Sequence, residues 1–289
     1  MIGLFAPFVA LCLAMWLHER RREASQRAPQ QEKLLRPPGF SAAVKLDAIL
    51  DQILIRIILA LGTGAMAGLS IQGLADVLSQ LGPSWLLLIP GGVCVLLAGA
   101  CAWLTADLLR RLRNAENWRL GLRGEQAVAE KLAEVAECGY RAYHDIQGDG
   151  TWNIDHVVVG VQGVFAIETK TRRKPREKRS GQAPYTATLD GQIVRFPNGS
   201  DKKAVPQVLA NARWLANYLW KKTGESVFVE PVIAIPGWWV DGSGQESAVK
   251  AMNPTYLAGY LRGRPATLDR AQVTRIKTAI EENCRTLEF

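Results

Sequence analysis

Residues 153–170, NIDHVVVGVQGVFAIETK, constrain this chain more than any other stretch. Val157, Val159, Phe165 and Ile167 are β-formers, and Gly160 and Gly163 bound a two-residue loop, Val161–Gln162. That loop pairs Gly160 with Gly163, and counting outward sets Asp155 opposite Glu168. Directly opposed side chains have Cβ atoms about 4.5–5.5 Å apart, so two carboxylates there repel unless a cation lies between them. Lys170 follows Glu168 by two residues and projects from the same face. His156 points the other way and reads as a packed or hydrogen-bonded histidine. A slip of one residue would turn Asp155 to the opposite face, which makes this register a sharp expectation.

The flanking segments predict helices and strands around that hairpin. Val128, Leu132 and Val135 are spaced as on a helix from about 124 to 135, with Glu125 in its first turn on the core-facing side. Residues 140–143 read as a short strand, and HDIQGDGTW after it as a loop that leaves His144 and Asp145 without a partner. A second hairpin is expected over 185–196, with Asp190-Gly191 as a type I′ turn. Pro206 is placed at the first position of a helix with the apolar stripe Val208, Ala212, Leu215 and Leu219. Gln207 and Asn211 share a neighbouring face. Residues 227–235 are apolar enough for a buried strand, although Pro231 allows an edge or a break. Trp238 and Trp239 read as core. Asn253-Pro254 and the Asp269/Gln272 capping box begin two small C-terminal helices.

Charge narrows the partners. The chain has 289 residues, a net charge of +8 and a pI of about 9.4, which favours nucleic acid or anionic lipid. Its five cysteines form no C-x-x-C pair, which argues against a zinc site or a disulfide framework. The run RRKPREKR leaves the second strand just beyond Lys170. Its Arg172, Arg173, Lys174, Arg176, Lys178 and Arg179 are candidates for phosphate contact, with anionic headgroups as the other option.

Three apolar runs precede all of this, at about 2–17, 53–78 and 85–109, and read as transmembrane helices. The first is read as a retained anchor, because HERRRE follows it directly and no small-residue cleavage site does. Arg56 would snorkel to the headgroups at the start of the second span. Small residues repeating at i+4 (Ala60, Gly64 and Gly68; Cys94, Ala98 and Ala102) would set Gly64 against Ala98 and Ala60 against Ala102. Basic residues flank the pair of later spans: Arg20, Arg21, Arg22, Arg27, Lys33, Arg36 and Lys45 before it, Arg110, Arg111 and Arg113 after it. The positive-inside rule then gives a multi-pass protein of the inner (cytoplasmic) membrane, N-terminus outside and C-terminal domain in the cytoplasm.

The ordered set Gly124-Glu125, Ile154-Asp155-His156, Glu168-Thr169-Lys170 and Pro206-Gln207 resembles the nuclease-related domain (NERD) family, grouped with the PD-(D/E)XK nucleases. The resemblance implies an α/β restriction-endonuclease-like fold, a central mixed sheet flanked by helices, here joined to an α-helical transmembrane region. It divides the chain into a membrane region (1–112), the nuclease-like domain (116–245) and a helical extension (246–289). By motif match, Asp155 and Glu168 would ligate Mg²⁺ or Mn²⁺, and Glu125 would add a ligand or position water. Lys170 would activate or orient the attacking water, as a base or as a charge, and Gln207 would order the site. The usual Pro before the Asp is replaced by Ile154, which removes no ligand. The expected function is a membrane-anchored, metal-dependent nuclease acting on DNA or RNA at the cytoplasmic face. The alternative is a non-catalytic, membrane-tethered module that binds nucleic acid or a partner.

Overall fold

The computed structural model describes residues 33–81, 88–150, 152–175, 185–241 and 248–287, together with Ala14 and Leu17. The expected first span therefore lies almost wholly outside the described residues, as do Arg176, Lys178 and Arg179.

A short strand β1 (Leu34–Leu35) leads into α1 (Phe40–Leu81), which is followed by α2 (Leu88–Ala133). The expected second and third spans fall within these two helices. Among the described residues, however, no helix is long and apolar enough to cross a membrane. Arg56, expected at the headgroups, instead pairs with Asp107 of α2 at 2.9 Å. Arg111 reaches Asp107 at 2.9 Å and Gln52 at 2.6 Å, so polar groups tie the helices together there. Among the described residues, a Cβ added at Gly64 or Gly68 would meet nothing within 4 Å, so no close small-residue contact is seen at Gly64 there. Helix α2 runs without a break through residues 112–116, where a boundary between membrane region and domain was expected.

Next come β2 (Arg141–Gln147), β3 (Asn153–Gly160) and β4 (Gly163–Thr169), then β5 (Thr186–Asp190), β6 (Ile193–Phe196) and β7 (Gly199–Asp201). Helix α3 (Ala204–Thr223), β8 (Val229–Ala234), β9 (Trp239–Asp241), β10 (Lys250–Met252), α4 (Leu257–Arg262), α5 (Arg270–Cys284) and β11 (Arg285–Leu287) complete the chain. The central sheet has the order β10-β8-β4-β3-β2. Its β10, β8 and β4 are parallel, and β4, β3 and β2 are antiparallel. Alternation along β3 feeds two cores. Val157 and Val159 join Leu215 and Leu219 of α3 and Ile276 and Ile280 of α5 on one face. Val158 joins Val128 and Leu132 of α2 and Leu257 and Leu261 of α4 on the other. The expected mixed sheet flanked by helices is therefore present. The C-terminal residues are part of it, because β10 extends the sheet and α5 covers it.

Several local expectations are corrected. Strand β2 extends to Gln147, so His144 and Asp145 lie in the sheet rather than in a loop. The second hairpin closes with Asp190 paired to Ile193, so its loop is Gly191–Gln192. Only Gly191 of those two has positive φ, which excludes type I′. Helix α3 starts at Ala204, so Pro206 is its third residue; the open N–H groups of Lys203 and Ala204 are met by Asp201 Oδ1 at 2.8 and 3.0 Å. Pro231 lies inside β8, but β10 begins its pairing only at Val232, where the missing N–H disturbs no ladder on that side. Trp238 is core at 1% exposure, whereas Trp239 is 59% exposed. The capping box at Asp269 and Gln272 forms as expected.

Candidate functional site

The site lies where β3 begins and β4 ends. The register runs from Gly160↔Gly163 through His156↔Ile167, as the two-residue loop requires. The ladder stops there, one step short of Asp155 and Glu168. Asp155 Oδ2 instead accepts from the backbone N–H of Thr169 at 2.8 Å. Glu168 Oε1 accepts from Lys170 Nζ at 2.8 Å, and Oε2 accepts from Asn211 Nδ2 at 3.0 Å. Lys170 Nζ also donates to Gln207 Oε1 at 2.8 Å, and the lysine backbone N–H donates to Ala234 O at 2.9 Å. Gln207 and Asn211 sit one turn apart on α3, so both reach the same carboxylate–ammonium pair. Asn211 was no candidate from the sequence. Its spacing of four from Gln207 was the available signal.

Glu125 enters from α2, well inside the helix rather than in a first turn, so a helix-dipole role is excluded. Gly124 explains how the helix comes so near. A Cβ there would sit 2.9 Å from Thr171 Cγ2 and collide with Thr171 Oγ1. The glycine lets the segment leaving β4 cross the helix closely. Gly124→Ala tests this: alanine gains about 1 kcal/mol in an unobstructed helix, but overpacking costs about 1–3 kcal/mol. Thermal unfolding is expected at a lower temperature than wild type; a rise of several degrees would show that the space is there.

The electrostatics are those of crowded acids. Burial, then Asp145 and Glu168, push Glu125 up to about 7, against the pull of Lys170 and Lys45. Burial, then Glu168 and Glu125, hold Asp155 well above the usual carboxylate range. Burial also raises Glu168, although Lys170 and Asn211 oppose it. For Lys170, burial disfavours the charge, but Glu168, Asp155 and Asp201 outweigh it and its pKa rises. These neighbours favour the ammonium form of Lys170. Glu125 Oε2 is buried with no hydrogen-bond partner. Among the described residues, no group of three His, Cys, Asp or Glu side chains converges to hold an ion as the side chains stand.

Behind the site lie two features the sequence reading missed. His144 and His156 are cross-strand partners with Nδ1 atoms 2.8 Å apart, and His156 Nε2 lies 3.1 Å from Thr169 Oγ1. Burial lowers His144 to about 4; burial and His144 lower His156 well below the ordinary value. Both rings are neutral and brace the end of β4, as expected for His156 but not for His144. Asp145 is fully buried with φ +52°. Its carboxylate accepts from Asn153 Nδ2 at 2.8 Å and from the Ser41 N–H at the start of α1 at 3.2 Å. Arg36 Nη1 donates to Asp145 O at 3.0 Å. The N-terminal helices are thereby fastened beside Glu125.

The basic run is only partly available for phosphate. Arg172 donates to Asn198 Oδ1 and O at 2.9 and 3.0 Å and covers Phe196. Arg173 bonds Asn117 Oδ1 at 3.1 Å and pairs with Glu116 at 3.5 Å. These two arginines tie the segment leaving β4 to its neighbours. Lys174 Nζ lies 4.4 Å from the centre of the Tyr185 ring.

A mixed α/β domain with a buried acidic cluster around one lysine is the class that fold and site define. The family model described as NERD, nuclease-related domain, matches residues 120–236 of this chain. That stretch includes Glu125, Asp155, Glu168, Lys170 and Gln207, and it supports a nuclease-related domain there. No curated protein and no solved structure gave a match.

Proposed function

We propose that this domain is a metal-dependent nuclease, hydrolysing phosphodiester bonds of DNA or RNA, held at the cytoplasmic face of a membrane by α1 and α2. The observation that carries the reading is the set Glu125, Asp155 and Glu168 around one ammonium: Asp155 and Glu168 are buried, and the half-buried Glu125 has a buried Oε2 without a hydrogen-bond partner. Glu168 raises the pKa of both Glu125 and Asp155, and Glu125 raises that of Asp155, so ionising all three would place more negative charge here than Lys170 offsets. Hard oxygen donors of this kind fit Mg²⁺ or Mn²⁺. Asp155 and Glu168 would hold the ion, with Glu125 as a further ligand or a water-positioning group. Such an ion, when bound, acidifies its water and offsets charge on the phosphate.

The chain's own groups have separate tasks. Lys170, protonated and steadied by Gln207, places positive charge against the phosphate. Asn211 fixes the orientation of Glu168, and the Thr169 N–H fixes that of Asp155. Membrane attachment is supported by the exposed apolar side chains Leu54, Ile55, Leu59 and Leu61 of α1 and Val95, Leu96 and Trp103 of α2. Arg110 and Arg113 lie beyond them, where a cytoplasmic headgroup layer would attract them.

One observation favours the second reading, a tethered module that binds without cleaving: both oxygens of Glu168 are already taken, by Lys170 and Asn211. Calorimetry on the full-length protein in mild detergent, with Mn²⁺ and Mg²⁺, separates the two, together with cleavage of DNA and RNA. The nuclease reading expects divalent binding with proton release. Glu125 titrates at about 7, so affinity should fall about tenfold per pH unit below that value for each proton displaced. An affinity independent of pH would remove Glu125 from the ligand set. Salt-sensitive nucleic-acid binding with no divalent binding would favour the module.

A further inference from the structure

We propose that the groove between β9 and α4 is a stacking platform for unpaired bases, so that the substrate of the candidate nuclease carries a single-stranded stretch beside the scissile bond. The inference rests on the nuclease reading for its link to cleavage, but not for the binding itself.

The groove is open, about 500 Å³, and lined by Trp239, Val240, Met252, Asn253, Tyr256 and Tyr260. Trp239 is 59% exposed and Tyr256 53% exposed, with ring centres 6.0 Å apart and planes at 88°. One ring can offer its face to a base while the other meets the base edge. Isolated exposed aromatics are ordinary; here two rings meet, one on β9 of the small sheet and one in the turn that follows β10 of the central sheet. Lys170 N–H bonds Ala234 O, and Ile235 N–H bonds Met252 O, so β4, β8 and β10 end side by side. Met252, which lines the groove at the end of β10, therefore stands two strand spacings from Lys170, or about 10 Å. At about 3.4 Å per nucleotide along a stacked strand, that is about three nucleotides.

One lysine stands beside the platform, next to Tyr185, whose carbonyl accepts from the Trp239 N–H. Lys174 leaves β4 over the Tyr185 ring, and its ammonium lies 3.9 Å from where a Cβ on Gly237 would stand. Gly237 is two residues before Trp239. Glu230 is paired with Arg264 at 2.9 Å and accepts from the lining residue Tyr260, while Asp241 follows the lining residue Val240 on β9. A backbone crossing here meets positive charge and then ring faces, the combination that suits a single strand. A base inside a duplex has both faces covered and cannot reach a side-chain ring, so a blunt duplex would gain nothing from the platform.

The test uses full-length protein in detergent, with unlabelled and fluorescein-labelled dT oligonucleotides, blunt duplex, and duplex with three- and six-nucleotide overhangs. Trp239→Ala and Tyr256→Ala should each weaken single-strand binding about 5- to 150-fold, the range for losing one stacked base. Trp239→Phe should keep most of it, which also reports that the surface folds. Blunt-duplex binding and hydrolysis of a small phosphodiester ester should not change, while cleavage beside an overhang should fall with binding. Unchanged single-strand binding in the double alanine variant overturns the platform. So does a tryptophan blue shift with anionic vesicles, lost in Trp239→Ala, with no response to oligonucleotide. If no ester or nucleic acid is hydrolysed but Trp239→Ala still weakens single-strand binding, the nuclease reading fails and the platform stands.

Discussion

Lys170→Ala is expected to reduce nucleic-acid cleavage by about 10²–10³-fold or more, the scale for removing one preorganised electrostatic group, while divalent affinity rises. The two effects have one cause. Lys170 Nζ sits 2.8 Å from Glu168 Oε1 and is, in this arrangement, the cation of the site. A divalent ion must share Glu168 with it, so the ammonium competes for the carboxylate as well as serving the phosphate. Removing it leaves Glu168, only 3% exposed, without its main counter-charge. Metal binding then relieves a larger repulsion than in wild type. Single-turnover cleavage measures the first effect and calorimetry with Mn²⁺ the second. Lys170→Arg should recover little activity, because the larger, planar guanidinium with its delocalised charge does not fit where the compact ammonium meets Glu168 and Gln207. Wild-type cleavage by Lys170→Ala would remove the lysine from the chemistry.

The hairpin was legible because its cues are local. Two glycines bracket two residues, the register follows by counting, and Glu168 and Lys170 share a face by the period of a strand. Gln207 was reached by motif and Asn211 was not, since nothing in the sequence says which carboxylate a helix amide will meet 43 positions away. Asp145 was read as a loop residue because turn-forming glycines follow it. Its partners, Arg36 and Ser41, come from 109 and 104 positions earlier. Arg36 had counted as one of many basic loop residues, and charge statistics cannot separate a solvated arginine from one that clamps a strand. The basic run failed in part for the same reason: Arg172 and Arg173 find Asn198 and Glu116 only once the chain has folded. Helical periodicity identified the residues near 124–135, but not that the same helix begins at Leu88. Composition changes across residues 112–116, while the backbone does not.

Asp155→Asn should abolish divalent-dependent cleavage and yet make the metal-free protein more stable near neutral pH. Asp155 is buried, and burial, Glu168 and Glu125 hold its pKa well above the ordinary value. For a carboxyl raised on folding, the stability present below the unfolded pKa is lost as pH rises through the folded one. Wild type without metal should therefore become progressively less stable above about pH 4. Glu125, raised to about 7, adds a decline in the same direction up to about that pH. Asparagine keeps an oxygen for the Thr169 N–H but carries no charge, so the variant escapes the Asp155 part of this decline. Each kcal/mol relieved raises the unfolding temperature by roughly 2–4 °C in a domain of 150–250 residues. Added Mn²⁺ should reverse the order. Wild type gains about 2.7 kcal/mol when the ion is at a hundred times its dissociation constant, whereas the variant has lost a ligand and gains little. Thermal unfolding from pH 5 to 8, with and without Mn²⁺, would show the two curves crossing. A variant less stable than wild type at pH 8 without metal would mean that the carboxylate is needed for structure. That result would move the balance to the binding module, in which Asp155 serves only to hold the end of β4.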